Sequence, residues 1–401
     1  MTAGRRFTSL AALAAAALFL ASWAALHTVW YDDGEIVDTP VYERYGNAVE
    51  DGGVPYRDFR PEYPPGALPA FVLPALVSDD ADGFRDAFEW LMLACGLAGV
   101  GLAAVVLAGI GATRAHVAGA LALAGGFPLL LGSVVLTRFD LFPAALVLGA
   151  LAAFVHGRDR LGSGVLGAAV AVKLYPAVLL PVVLGWVWRR RGRREALACL
   201  GVAAGVLAAI VLPFLALAPE GLARSVGHQL SRPLQLESLG SALYLAAHHL
   251  VGLDVEMRSG HGSQNLHATG TGVAALLLTL LQLAALAWIW TRRPGSPAEL
   301  VRWSAAALVA FVALGKVLSP QFPIWLAAVV PLVAGLRGLR ASLLLATALV
   351  LTQAWFPSRY WDLARELDPV PSGLVLARDL VLVALLVVLV KDDRGAAPRS
   401  T

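Results

Sequence analysis

The sequence predicts an all-α polytopic membrane protein, on three observations. Only 15% of its 401 residues are charged and 58% are hydrophobic, whereas a soluble globular chain carries about 25% charged residues. The hydrophobic residues gather in runs long enough to cross a bilayer, whose apolar core of about 30 Å needs about 20 helical residues. Arginine and lysine concentrate in the short connections between those runs. The net charge of +3 is too small to suggest a nucleic-acid partner. Cys95 and Cys199 lie inside apolar runs and read as small core hydrophobes, giving neither a disulfide framework nor a metal site.

Taken in order, the runs fall near 10–30, 86–110, 117–136, 139–156, 195–217, 270–291, 298–318, 341–356 and 373–390, with a shorter one at 322–336. The first, LAALAAAALFLASWAALHTVW, follows Arg5 and Arg6. Its length and lack of a small-residue cleavage site mark an uncleaved span. Basic residues in short loops favour the cytoplasmic side. That rule puts Arg5/Arg6, Arg158/Arg160, the run from Arg189 to Arg194, Arg292/Arg293, Arg337/Arg340 and Lys391/Arg394 inside. The segment 162–188 then has arginines at both ends, so it reads as a hairpin broken at Lys173-Leu174-Tyr175-Pro176. Proline removes a backbone donor there and disfavours helix at the preceding residue. Arms of about 13 residues make about 20 Å of helix, which leaves Lys173 near the outer headgroups. The stretch 66–78, interrupted by Pro69 and Pro74 and followed by acids, reads as a re-entrant or in-plane segment.

These choices give about twelve spans in a single transmembrane domain over 1–390, with both termini cytoplasmic. The outer face then collects a first outer loop at 31–85, a second large outer loop at 218–269, and turns near Arg138, Lys173 and Ser319. Residues 391–401 read as a disordered cytoplasmic tail.

The outward-facing polar residues each have a plain reading and a chemical one. Asp38, in DTPVY, is a helix N-cap before Pro40 or a base held beside the membrane. Glu62, in EYPPG, pairs with Arg57 or Arg60 or is a second candidate base. Arg138 and Asp140, in LTRFDLFP, form an interfacial pair capping the next span or line a polar site. Lys173 snorkels, or finds a partner at membrane depth; Lys316, in GKVLSPQFPIW, poses the same question. The stretch 228–250 adds His228, Arg232, Gln235 and Glu237, on an amphipathic in-plane segment or as site groups. His248 and His249 read as packing, and His261 and His267 lack a zinc spacing.

As a set, these residues suit sugar transfer. A carboxylate takes the proton from an attacking sugar hydroxyl. Asp38 is favoured over Glu62, because Asp32, Asp33 and Glu35 fall in a glycine-containing turn and Glu43, Glu50 and Asp51 on a solvated helix. Lys173, His228, Arg232 and Lys316 are candidates to hold a phosphate and stabilise its charge as it leaves. Candidate substrate contacts are Tyr42, Arg60, Tyr63, Arg138, Asp140, Tyr175, Gln235, Glu237 and Gln321. An outward-facing reaction has no access to cytoplasmic nucleotide sugars, so a lipid-phosphate-linked donor is the natural activated substrate. No phosphate loop or dinucleotide fingerprint is present.

The ordered segments DTPVYERYGN, GVPYRDFRPEYPPG, LTRFDLFPAAL, GAAVAVKLYPAVLLP, RPLQLESLG and GKVLSPQF, from Asp38 to Gln321, resemble those of actinobacterial GT-C glycosyltransferases. The nearest group is glycosyltransferase family 87, with its polyprenyl-phosphate-mannose-dependent mannosyltransferases. Order and topology carry this resemblance; no single motif is diagnostic. It implies a GT-C helical bundle, an inverting enzyme without cofactor or metal, and a polyprenyl-phosphate-linked sugar donor, mannose foremost. It also implies a lipid or glycan acceptor in cell-envelope glycolipid or polysaccharide synthesis, and an active site facing outward from the plasma membrane. Asp38 matches the acid before the family's Val-Tyr pattern, and Lys173 to Pro176 match its Lys-x-x-Pro turn. Glu62 before Tyr-Pro-Pro and the Arg138-Phe139-Asp140 turn depart from the better-known mannosyltransferases, which bears on sugar and acceptor. The competing class is a transporter or flippase of lipid-linked glycans, against which stands the absence of an inverted repeat.

Overall fold

The computed structural model describes residues 4–28 and 36–391; Asp32, Asp33, Glu35 and the tail beyond Lys391 lie outside the described residues. From the N-terminus, α1 (Arg5–Leu26) is followed by the surface helix α2 (Thr39–Glu50) and the short α3 (Pro69–Ala75). Then come α4 (Ala81–Gly109), α5 (Arg114–Leu131), the single turn α6 (Val134–Thr137), α7 (Leu141–Val155) and α8 (Asp159–Val172). Next are α9 (Leu180–Arg191), α10 (Arg193–Leu217), α11 (Pro219–Leu230) and α12 (Leu239–Val251). A β-hairpin of β1 (Glu256–Gly260) and β2 (Ser263–His267) precedes α13 (Thr271–Trp290), α14 (Pro297–Ala313) and α15 (Pro323–Val329). The last helices are α16 (Gly335–Gln353), α17 (Tyr360–Glu366) and α18 (Pro369–Val390).

Among the described residues seven helices are long and apolar enough to cross a bilayer unaided, namely α1, α4, α5, α10, α13, α16 and α18. The other expected crossings fall on the shorter apolar helices α7, α8, α9, α14 and α15. Burial separates centre from rim. In α14, every residue from Ala305 to Ala310 is fully buried, whereas few residues of α10 and α13 are buried. Small residues let helices approach closely where no water-driven burial separates lipid from protein. Thus α8 meets α10 at Gly167, where an added methyl would strike the Ala203 backbone. Starts are set locally too. Ser296 caps α14 by accepting the Glu299 amide at 3.2 Å, while the Glu299 carboxylate accepts from the Gly295 amide just before the cap.

The break at Pro176 is as the sequence implied. Helix α8 ends at Val172, a 3₁₀ turn covers Tyr175–Leu179, and α9 resumes at Leu180. The segment 66–78 forms only a seven-residue helix, α3, too short to cross. The hairpin within 218–269 was not anticipated. Its two strands pair antiparallel with Gly260 opposite Ser263, and both turn residues, His261 (φ 58°) and Gly262 (φ 65°), are left-handed. That is the conformation a two-residue hairpin turn requires.

The loops richest in arginine meet at one end of the bundle. Arg160 binds Glu195, Arg191 binds Asp159, Arg189 donates to the Arg293 carbonyl, and Arg337 donates to the Lys391 carbonyl. The turns at Arg138, Lys173 and Ser319 join the loop before α12 in a second, separate cluster.

Candidate functional site

Asp38 takes the N-cap position of α2, yet its side chain caps nothing. Its Oδ2 lies 3.1 Å from Arg138 Nε and accepts the Tyr42 hydroxyl at 3.2 Å. The arginine side chain is 6% exposed and the aspartate 31%, so the ion pair is buried on one side and open on the other. Arg138 is fixed further by the carbonyls of Ile36 and Thr137, each at 3.3 Å.

Arg138 and Asp140 therefore do not pair with each other. Asp140, 1% exposed on its side chain, receives Lys173 Nζ at 2.6 Å and Trp325 Nε1 at 2.5 Å on Oδ1. Nor does Lys173 snorkel. Its ammonium sits 4.5 Å from the Phe139 ring centre, 5.2 Å from Trp325 and 5.8 Å from Tyr63. Those rings belong to a continuous aromatic wall: Tyr175 stacks on Trp325 at 4.0 Å, Phe322 on its other side at 4.0 Å, and Tyr63 packs edge-on to Phe139 at 4.8 Å. Tyr42 extends the wall by stacking on Phe71 at 4.6 Å.

Glu62 stands apart from Arg57, which is taken by Asp58 at 2.8 Å. That pairing, with the Val54 amide, holds the Asp58 carboxyl at about 2. Exposed Arg60 has no side-chain partner among the described residues. The Glu62 carbonyl accepts from Gln229 at 3.0 Å, and a methyl placed on Gly262 would meet its two carboxylate oxygens at 2.9 Å. The hairpin turn is thus seated directly on Glu62.

Around that turn the cations gather. The His228 and His261 rings stack at 4.4 Å. Burial first, then the neighbouring charges of His228, Arg232 and Lys316, lowers the His261 pKa. Burial and Arg232 likewise lower that of Lys316. Lys316 donates to the Leu230 carbonyl at 3.1 Å and Arg232 to Gln235 Oε1 at 3.5 Å. Both cations rest on neutral acceptors, with Glu62 and Glu237 near Arg232 but not in contact. Gln235 is the hinge of this corner: its amide donates to Ser319 Oγ at 3.0 Å, and its carbonyl accepts from Ser238 and Ser241. Gln321 lies half-buried in the adjoining turn. No group of three His, Cys, Asp or Glu side chains suited to a metal ion occurs among the described residues.

Glu237 is fully buried, and one of its oxygens has no partner. Burial raises its carboxyl to about 7, with Arg378 and Arg232 pulling the other way. Arg378, on α18, donates to the Glu237 carbonyl at 2.6 Å and pairs with Asp379 at 2.7 Å, both residues wholly buried. The sequence reading missed this pair. Two adjacent charges inside an otherwise apolar span were the available signal.

The described helices thus bring together a half-open carboxylate, an aromatic wall and a cluster of cationic side chains. The profile of Glycosyltransferase family 87 matches residues 62–320, more than half of the sequence. The chain belongs to glycosyltransferase family 87, and its architecture is the polytopic helical bundle of the GT-C superfamily. The match opens at Glu62, so Asp38, Tyr42 and Arg60 precede it, while Gln321, Arg378 and Asp379 follow it. A crystal structure of ArnT from Cupriavidus metallidurans bound to undecaprenyl phosphate aligns at 16% identity and TM-score 0.48, covering 93% of this chain and 76% of that one. The same protein's apo structure aligns at 16% identity and TM-score 0.47, with the same coverage. The comparison with curated proteins returned no match.

Proposed function

We propose that this enzyme transfers a sugar, mannose foremost, from a polyprenyl-phosphate donor to a lipid or glycan acceptor at the outer face of the plasma membrane, with inversion. The observation that carries the reading is the half-open Asp38 carboxylate. It is oriented by Arg138 and Tyr42. In the reaction the acceptor hydroxyl oxygen bonds to the anomeric carbon as the bond from that carbon to the phosphate oxygen breaks. Asp38 takes the hydroxyl proton, and the electron pair leaves with the phosphate. Arg232 and Lys316 stabilise that leaving phosphate, because their charges are not already neutralised by a contacting carboxylate, and His228 donates a hydrogen bond to it. Lys173 is matched to Asp140 and reaches the phosphate only by exchanging partners. Its role in this structure is to hold the wall of Tyr63, Phe139, Tyr175 and Trp325 against which the sugar packs. Glu62 remains the second candidate base, under the hairpin.

Purified protein given radiolabelled polyprenyl-phosphate mannose and envelope glycolipids tests the reading. Transfer of label supports an enzyme; movement of donor across the bilayer without transfer supports a flippase. General-base catalysis contributes about 10²–10⁴-fold, so Asp38→Asn is expected to lose at least about a hundredfold in turnover with donor binding retained. Normal turnover in that variant together with an inactive Glu62→Gln moves the base to Glu62.

A further inference from the structure

A cavity of about 480 Å³ opens between the end of α1, the first turns of α2, the N-terminal turns of α4 and the α6 turn. Val37 and Thr39, on either side of Asp38, line it, as does Thr137 beside Arg138. Asp38 itself is not among the lining residues, but the residues before and after it are, so its backbone borders the cavity while its carboxylate is turned toward Arg138. None of its lining residues belongs to the Arg232–Lys316 corner. The two regions also differ in sign. Glu43, Asp82 and Asp86 face the cavity against one arginine, Arg85, while Glu89 and His27 line it facing each other. Arg85 is shared between Asp82 at 3.3 Å and Asp86 at 4.0 Å, and His27 lies 3.3 Å from Glu89. Glu43 has no ion-pair partner among the described residues. Apolar walls come from Leu26, Phe84, Leu136 and Phe356. Its size and its mix of apolar walls and polar groups fall within the range of small-molecule pockets.

We propose that this cavity is the acceptor subsite and that it selects an uncharged, polyhydroxylated head group over a phosphorylated one. The proposal rests on the glycosyl transfer proposed above. Ionised carboxylates are acceptors only, so they receive sugar hydroxyls and repel a second anion brought out of water beside them. The division of charge keeps the two substrates apart: the phosphate-bearing donor is drawn to the Arg232–Lys316 corner, and the neutral acceptor enters beside Asp38.

Binding of methyl mannoside, octyl mannoside and methyl mannoside 6-phosphate to the protein in lipid nanodiscs, by calorimetric titration, tests this. The neutral glycosides are expected to bind at least about tenfold more tightly than the phosphate. Glu43→Lys, and separately the well-exposed site variant Asp86→Lys, are expected to reverse that preference. Tighter binding of octyl than methyl mannoside supports a lipid-anchored acceptor, and equal binding a free glycan. A phosphate that binds as well as the neutral sugars, a preference unmoved by both lysine variants, or no saturable glycoside binding overturns the proposal. Polyprenyl phosphate affinity is measured in parallel. Its absence, with glycoside preference intact, sinks the donor reading and leaves the subsite standing.

Discussion

Lys173 shows how much a single residue's meaning depends on a partner the sequence keeps 33 positions away. Removing one member of a buried ion pair strands the other charge at a cost of about 3–5 kcal/mol, whereas replacing both by apolar groups is often neutral. Lys173→Met is therefore expected to lower the melting temperature sharply, and Lys173→Met with Asp140→Leu to recover most of the loss. A recovered double variant that has lost polyprenyl-phosphate affinity would instead make Lys173 a phosphate ligand. Glu237 offers a pH test. Burial raises its carboxyl from 4.5 to about 7, so between those values the folded protein binds more protons than the unfolded chain. Stability then falls as pH rises through that window and levels off above it. The difference in melting temperature between wild type and Glu237→Gln should shift accordingly from pH 4.5 to 7.5; a constant difference would show that Glu237 is not titrating there. Sequence alone singled out Asp38, Lys173 and Glu237 because charge near an apolar run is costly. The identities of their partners, Arg138, Asp140 and Arg378, come only from the fold.

At the level of elements, legibility followed the length of the periodic signal. Long apolar runs became the helices α1, α4, α5, α10, α13, α16 and α18, and the proline in a doubly flanked run located the break between α8 and α9. The β-hairpin was hidden because its five-residue strands, EMRSG and SQNLH, are mostly polar and, with a histidine in the turn, carry little hydrophobic alternation. Its function is nonetheless specific, since it brings His261 to His228 and seats Gly262 on Glu62. The first outer loop is anchored in a similar way. A methyl on Gly66 would lie 2.6 Å from the Ala171 carbonyl group, so the loop locks onto the end of α8 two residues before Lys173. Gly66→Val is expected to push the two apart and cut turnover at least about tenfold, with no proposed substrate contact altered. Helical content by circular dichroism should be unchanged. Wild-type turnover in Gly66→Val would show that this contact does not set the site geometry.

For the molecule as a whole, the separation of its two ends carries a claim about orientation. The connections at 158–160, 189–195, 292–293, 337–340 and 391 interlock through arginine side chains, while the candidate site lies among the turns at 138–140, 173–175 and 316–322. Basic short loops favour the cytoplasm, and the outward-facing site proposed above, using lipid-linked rather than nucleotide sugars, rests on that rule. Single-cysteine labelling with an impermeant maleimide in intact cells tests this, and the structure chooses the positions. Gly53 is unsuitable, because a side chain there would meet the Ala48 carbonyl at 2.5 Å, and Gly192 is held at φ 85°. Asp51 on the first outer loop, Ser259 on the hairpin and Arg194 at the arginine-rich end are exposed and free of these constraints. Cys95 and Cys199, the first half-buried and the second buried, would be replaced by alanine beforehand. Asp51→Cys and Ser259→Cys are expected to label in intact cells, and Arg194→Cys only after the membrane is permeabilised. The opposite pattern would place Asp38 and the Arg232–Lys316 corner in the cytoplasm. The donor class would then have to be rethought, because nucleotide sugars would reach the site directly.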